Sequence, residues 1–248
     1  MGKLYIVGIG PGCHEDMTLR ADKALGESDV IAGYTVYVDL VRDYYGDKEF
    51  ISTPMMGEVN RCRMALEEAQ KGKTVAMVCS GDAGVYGMAG LIYELSEEYD
   101  PVDIQVIPGI TSALSGGALT GAPLTHDFAV VSLSDLLTPW EKIECRLREA
   151  SKADFTLCLY NPSSKKRHDY LEKACRICME YKSEETVCAI AKNIGREGEA
   201  YQVMTLKELA VTPVDMFTTV FIGNSQSRVI DGKMVTPRGY MEKEHGKK

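Results

Sequence analysis

No stretch of this chain of 248 residues approaches the roughly 20 consecutive apolar residues that a membrane-crossing helix needs, so no membrane role is expected. The amino terminus, MGKLYIVGIGPG, carries none of the three regions of a secretory leader, which points to the cytoplasm. Basic charge is also in deficit: 28 Lys and Arg against 36 Asp and Glu give 28 − 36 = −8. Nonspecific nucleic-acid binding needs a basic face that displaces counterions, and is not expected. A second C-x-x-C is missing, so the one pair, Cys175 and Cys178, falls short of a zinc site. The eight cysteines (13, 62, 79, 145, 158, 175, 178 and 188) read as reduced thiols, mostly packed as small hydrophobes.

Two phosphate signatures are absent as well. After Gly8-Ile9-Gly10-Pro11-Gly12 the third glycine of G-x-G-x-x-G would fall at Cys13, and no Gly-Lys-Ser/Thr follows. Pro11 further removes a backbone N–H from the loop that would cradle a pyrophosphate. A nucleotide-dependent oxidoreductase is therefore the weaker reading of this loop. What remains is a tight turn that lets the backbone approach a ligand without phosphate, or a bare strand-to-helix turn.

Strand-like and helix-like patterns alternate along the chain. LYIVGI reads as a buried strand, followed by a helix capped by Thr18 with Ala21, Ala24, Leu25 and Ser28 on one face. DVIA, TVAMVC and VDIQVI are strands; VYVDLVRDYY, EVNRCRMALEEAQ and GMAGLIYELSEEY are helical. In the second of these helices Val59, Cys62, Leu66 and Ala69 mark the apolar face and Gly72 the stop. After the small-residue helix TSALSGGALTG the pattern restarts. FAVVSL, DFTLCLY, TVCAIAK and TTVFIG are strands, and Thr138-Pro139-Trp140-Glu141 reads as a capping box with Pro at the first helical position. EAYQVMTLKEL suggests a strand and a short helix, so the second sheet is expected to be mixed. Asp231-Gly232 signals a hairpin. The fold class is α/β, with two α/β domains over residues 1–118 and 119–240, a hinge in the stretch from Gly116 to Pro123, and a disordered tail at 241–248.

Three loops follow strands and carry ligand-type chemistry: the Gly8–Gly12 loop, Ser80-Gly81-Asp82-Ala83-Gly84-Val85-Tyr86-Gly87, and Ile107-Pro108-Gly109-Ile110-Thr111-Ser112. In a parallel sheet the carboxyl ends of the strands are where ligands bind. Asp82 is placed there to accept hydrogen bonds.

In this order the loops VGIGPGCHEDMT, SGDAGVYGMA and VIPGITSALSGGALTGAPLTHDF resemble the tetrapyrrole methylase family. SLSDLLTPWE, LYNPSSKKR, AKNIGREGE, VDMFTTVFIGNSQS and MVTPRGY extend the resemblance over residues 3 to 240, and within the family it is to the branch that methylates C17 of precorrin-3B or cobalt-factor III. The resemblance implies two αβα domains with the active site in a cleft between them, a homodimer, and S-adenosylmethionine as methyl donor, leaving as S-adenosylhomocysteine. It carries cofactor contacts over to Gly10, Pro11, Ser80, Gly81, Asp82, Val85, Thr111 and Ser112, and to Tyr160, Asn161, Asn193 and Ile194 in the second half. Many relatives carry Gly-Asp-Pro where this chain has Asp82-Ala83. The implied reaction is C-methylation coupled to corrin ring contraction in cobalamin biosynthesis.

Methyl transfer from a sulfonium is an in-line displacement whose leaving thioether needs no proton, so the missing triad does not count against an enzyme. Ring contraction would use acid–base help, for which His126, Asp82 and a substrate carboxylate are candidates. A turn histidine is the plain alternative for His126. The substrate is a polycarboxylate, so an acidic chain must concentrate positive charge locally. Arg196 and Lys192, beside Asn193, and Arg167, after Lys165 and Lys166, are the candidates. A solvated helix start explains the Lys-Lys-Arg run equally well. Tyr34, after the second strand, either faces the ligand or is an ordinary half-buried tyrosine. No metal ligand set is legible. A sibling methylase acting at another ring carbon, a diphthamide-type methylase and a noncatalytic tetrapyrrole carrier remain as rivals.

Overall fold

A computed structural model describes residues 2–164, 167–240 and 243. Lys165 and Lys166, and the tail expected at 241–248 apart from Lys243, lie outside the described residues. The chain divides into two compact units, Met1–Ser112 and Ala113–Lys248.

The first unit alternates strand and helix throughout: β1 (Lys3–Gly8), α1 (Leu19–Glu27), β2 (Val30–Tyr34), α2 (Thr35–Arg42), β3 (Glu49–Thr53), α3 (Glu58–Gln70), β4 (Thr74–Cys79), α4 (Ala89–Ser96) and β5 (Asp103–Ile107). Its sheet is entirely parallel, in the order β3-β2-β4-β1-β5. Each helix returns the chain to the starting edge, so every strand ends at the same edge and the loops there gather. Residues of α1 and α2 cover one face with Val7, Ile31 and Ala76. Residues of α3 and α4 cover the other with Leu4, Ile6, Val75 and Met77. Strands buried on both faces account for near-continuous apolar runs such as TVAMVC. Thr18 caps α1, its hydroxyl accepting from Ala21 N at 3.1 Å.

The alternating pattern overlooks β3. This edge strand has only Thr53 buried, so KEFIST shows no apolar face. The apolar stripe of α3 is also rotated from its expected place. Val59 is exposed, and Arg61, Cys62, Ala65, Leu66 and Ala69 are the buried residues.

The second unit holds α5 (Ser112–Thr120, beginning at the last residue of the first unit), β6 (Gly121–Ala122), β7 (Phe128–Ser132), α6 (Trp140–Lys152), β8 (Thr156–Tyr160), α7 (Tyr170–Met179), β9 (Val187–Lys192), β10 (Ala200–Thr205), α8 (Leu206–Leu209), β11 (Thr218–Ile222), β12 (Arg228–Ile230) and β13 (Lys233–Val235). Its main sheet is mixed, in the order β10-β9-β11-β8-β7, with β11 antiparallel to both its neighbours and β10 antiparallel to β9. β12 and β13 form the hairpin signalled by Asp231-Gly232, both residues at positive φ, as a primed turn demands. The division between units falls before the Gly116–Pro123 stretch because α5 packs on the second sheet. Ala113 joins a cluster with Cys158, Ala191 and Phe221, and a Cβ on Gly116 would stand 2.9 Å from Ile194 Cδ1.

The capping box expected at Thr138 does not form. Pro139 is itself the N-cap of α6, its carbonyl accepting from Lys142 and Ile143, and no side chain caps the helix. A box does form at Thr205 and Glu208, where the hydroxyl and the carboxylate satisfy each other's backbone amides and start α8.

Candidate functional site

In the first unit three loops meet at the carboxyl ends of β1, β4 and β5. Gly10 and Gly81 exchange backbone hydrogen bonds, N to O at 3.1 Å and 2.7 Å, each residue at a φ near +70° that excludes most side chains. The backbones of Gly8, Gly81 and Gly109 lie so close that a Cβ on Gly109 would stand 2.2 Å from Gly81 O and 2.5 Å from Gly8 O. Glycine at 109 is a steric requirement of this junction. Asp82 locks it: Oδ1 accepts from Gly84 N at 2.8 Å and Oδ2 from Gly109 N at 2.9 Å. The second loop is thus pinned both to itself and to the third. Charged acceptors make the stronger hydrogen bonds, so the carboxylate is well suited to hold two loops at once.

Gly10, Pro11, Ser80, Gly81, Asp82, Val85, Thr111 and Ser112 are therefore brought together on one edge of one sheet. Pro11 is buried, while Ser80, Val85, Thr111 and Ser112 are half-buried. Because the loops offer mainly backbone carbonyls and amides, with a carboxylate and no lysine, they suit a neutral or cationic ligand better than a phosphate. The segment after Gly12 is anchored independently. The His14 ring stacks on Tyr44 at 4.4 Å between centroids, and its Nε2 lies 3.2 Å from Asp22 Oδ1, which also accepts from the Tyr45 hydroxyl. The Tyr45 and His14 hydrogen bonds hold the Asp22 carboxyl below its ordinary range. Burial and Asp22 push the Tyr45 phenol up.

In the second unit β8 and β9 end at one edge, since both run antiparallel to β11. Tyr160, Asn161, Asn193 and Ile194 gather there, along with Lys192, Arg196 and Arg167. The Tyr160 hydroxyl accepts from Ala113 N at 2.7 Å, which ties the strand end to the start of α5. Asn161 and Asn193 sit at φ 53° and 50°, left-handed values that Asn tolerates better than other non-glycine residues. Asn161 Nδ2 donates to Ser132 Oγ at 3.0 Å. The Ile194 side chain is buried in the core, so only its backbone is offered to a ligand.

The basic residues on this edge already hold partners. Lys192 pairs with Asp215 at 2.8 Å, and Arg167 donates to Ser134 at 3.1 Å and Asp135 at 3.2 Å, while its buried Nε has no partner among the described residues. The Arg196 guanidinium lies 5.7 Å from the Phe217 ring centroid. His126 stands apart from all of them. It precedes the amino end of β7, whereas Tyr160 and Asn161 lie at the carboxyl end of β8, which runs parallel to it. Five residues of strand, roughly 16 Å, separate those edges. Its Nδ1 accepts from the Asp127 amide at 2.8 Å, which is turn chemistry.

Tyr34, at the carboxyl end of β2, is half-buried, with its ring edge-on to Tyr37. Beneath it lies Arg61, which the sequence reading passed over. The signal was a charged residue in the apolar stripe of α3, one turn before Ala65. Among the described residues no group of three or more His, Cys, Asp or Glu side chains is arranged to hold a metal ion, and no helix is long and apolar enough to cross a membrane.

Residues 3–210 match the family described as Tetrapyrrole (Corrin/Porphyrin) Methylases. A Salmonella typhimurium protein named probable cobalt-factor III C(17)-methyltransferase is 45% identical over 96% of this chain and 99% of its own length. A Priestia megaterium cobalt-factor III methyltransferase is 44% identical over 98% of this chain, which spans only 46% of that longer protein. The crystal structure of the methyltransferase CobJ superposes with a TM-score of 0.89 at 34% identity, covering 96% of this chain and all of that one. The fold is shared with uroporphyrin-III C-methyltransferase of Thermus thermophilus, solved with bound S-adenosylhomocysteine (TM-score 0.72, 23% identity, 90% of this chain and 97% of that one).

Proposed function

This chain belongs to the tetrapyrrole (corrin/porphyrin) methylase family, and from that premise we propose that it methylates C17 of cobalt-factor III, with S-adenosylmethionine as donor, during corrin ring contraction in cobalamin biosynthesis. The observation that carries this reading is the 45% identity with the Salmonella protein across nearly the whole of both chains.

When bound, S-adenosylmethionine supplies an electrophilic methyl group on a sulfonium. Gly10 and Gly81 present backbone to it, Asp82 keeps the loops in place, and Pro11, Ser80, Val85, Thr111 and Ser112 line the same corner. We also assign Tyr160, Asn161, Asn193 and Ile194 to the donor, as the family resemblance implies. Orientation of this kind is worth effective molarities of roughly 10⁵ M or more, enough to carry a displacement that needs no leaving-group protonation.

Moving a methyl cation onto a neutral ring leaves the substrate one positive charge higher, so one proton must depart. Asp82 already accepts two backbone hydrogen bonds and His126 lies on the opposite edge of its sheet. A carboxylate of the substrate is the acceptor this arrangement favours. Arg196, Lys192, Arg167 and Tyr34 are the side chains we assign to the substrate. The working form is read as a cytoplasmic homodimer, which sedimentation tests directly.

Anaerobic incubation with S-adenosylmethionine and either cobalt-factor III or precorrin-3B tests the function. Gain of one methyl group with ring contraction on cobalt-factor III is expected. Methylation of precorrin-3B alone would move the reading to the cobalt-free substrate. Tight dinucleotide binding without S-adenosylhomocysteine binding would overturn it in favour of an oxidoreductase.

A further inference from the structure

The end of β2 and the turn from β3 into α3 hold a group of side chains that the reading above leaves largely unused. Arg61 lies one turn into α3 with its side chain 3% exposed. Its Nη1 donates to Thr53 Oγ1 at 2.8 Å, its Nη2 donates to Glu58 Oε1 at 3.0 Å, and its Nε is buried without a partner among the described residues. The guanidinium carbon is 5.8 Å from the centroid of the Tyr34 ring.

Arginine keeps its charge, and a buried charge is costly unless it is paired and fully hydrogen-bonded. Here the pairing is incomplete. Thr53 offers only neutral acceptors, and the counter-charge paired with Arg61 among the described residues, Glu58, is itself 42% exposed. The stripe on which Arg61 sits, with Cys62, Ala65, Leu66 and Ala69, would bury an aliphatic side chain at no such cost. The intervening turn is unusual too. Met55 and Met56 are 47% and 80% exposed, and Met56 holds φ at 67°, a conformation unfavourable for a side chain of its kind. Strained backbone of this sort collects at ligand sites. All these residues lie at the carboxyl ends of β2 and β3, on the ligand-binding edge of a parallel sheet.

We propose that Arg61 is a receptor for a carboxylate of the tetrapyrrole, and that Glu58 is an internal carboxylate occupying it until the substrate arrives. The identity of the ligand rests on the methyltransferase reading above; the receptor itself rests on the geometry. Glu58 lies three residues before Arg61 on the same helix, and its half-exposed side chain can turn into water. Its departure uncovers Nη2, and the planar guanidinium fork matches an incoming carboxylate. One carboxylate replaces another, so the net charge around the buried guanidinium does not change. Tyr34, over the guanidinium, brings a hydroxyl to the same corner, and Met55 and Met56 offer a polarizable apolar surface to the ring edge.

The test is steady-state kinetics of the full chain with cobalt-factor III and S-adenosylmethionine, beside calorimetric titration with S-adenosylhomocysteine. Glu58→Gln removes the competing charge and is expected to lower the tetrapyrrole KM about three- to tenfold. Arg61→Lys keeps the charge but loses the fork, and is expected to raise that KM roughly tenfold. Tyr34→Phe raises it severalfold. The affinity for S-adenosylhomocysteine stays within twofold of wild type in all three. Opposite signs for Glu58→Gln and Arg61→Lys are the diagnostic result, because loss of either partner of a purely structural ion pair harms the protein in the same direction. A KM that does not fall in Glu58→Gln, or that stays within twofold of wild type in Arg61→Lys, overturns the proposal. Should Arg61→Lys lose its circular dichroism signature of folding, Glu58→Gln alone decides. Wild-type protein that binds S-adenosylhomocysteine but methylates neither tetrapyrrole overturns the methyltransferase reading, and the ligand assignment with it.

Discussion

Replacing Asp82 by Asn changes two hydrogen bonds and almost no volume. In the native loop Oδ1 accepts from Gly84 N at 2.8 Å and Oδ2 from Gly109 N at 2.9 Å. The amide of Asn has one acceptor and one donor group, so one of these backbone N–H groups must face an NH₂. Hydrogen bonds to charged acceptors contribute about 1.5–3 kcal/mol, and the surviving bond weakens when its acceptor becomes neutral. The expected loss is therefore about 2–3 kcal/mol. The loops have no slack to absorb it, because Gly8, Gly81 and Gly109 are already in backbone contact. If binding must restore the native loop geometry, 1.4 kcal/mol per decade converts this loss into S-adenosylhomocysteine affinity weakened about 30- to 140-fold. Calorimetric titration of wild type and Asp82→Asn, with urea unfolding of both, measures the two quantities. A Kd within threefold of wild type together with an unchanged unfolding midpoint would refute the assignment of Asp82 as the staple of the loops. Unaltered affinity with a collapsed kcat would instead place Asp82 in the chemistry.

Two further outcomes follow from the second unit and the thiols. The Tyr170 hydroxyl and Arg167 hold the Asp135 carboxyl below its ordinary range. Burial alone pushes Asp154 up, but hydrogen bonds from Ser225, with Lys182, outweigh it and hold Asp154 down as well. Folded values below the unfolded ones stabilise the unit above about pH 4, and that stability is lost as pH falls through the folded values. Thermal unfolding followed from pH 6 to pH 3 should therefore show a steep acid limb that Asp154→Asn makes shallower; an unchanged slope would contradict the assignment. Of the eight cysteines only Cys145 is exposed and Cys13 intermediate, and the other six are buried. Burial pushes Cys79 and Cys178 up to about 11 and Cys62 up to about 12. Titration with a thiol reagent at pH 8 should modify Cys145 first, Cys13 more slowly and the rest only on unfolding. Early reaction at Cys175 or Cys178 would show that the C-x-x-C is more than helix packing.

Much of the fold was legible because its signals are local. Buried parallel strands write continuous apolar runs, as in TVAMVC, and Thr18, Gly72 and Asp231-Gly232 act within a few residues of where they stand. The failures were local signals read too literally. Thr138 stands one residue too early to cap α6, because Pro139 takes that position. β3 escaped notice because an edge strand need not bury a face. The glycine loops were legible as a group because close backbone approach demands glycine wherever it occurs.

What sequence alone determined was most of the order of elements, the three loops at strand ends and the kinship with a family of methylases. What only the tertiary structure decided was company. Arg61, Thr53 and Tyr34 belong to separate elements and become neighbours because β2 and β3 end side by side. His126 looked central in the chain, yet it enters β7 at the edge opposite to the one where β8 and β9 end. Periodicity reports which face a residue takes within its own element. Which charges meet, and at which edge, depends on pairing order and strand direction, and these are set by long-range contacts.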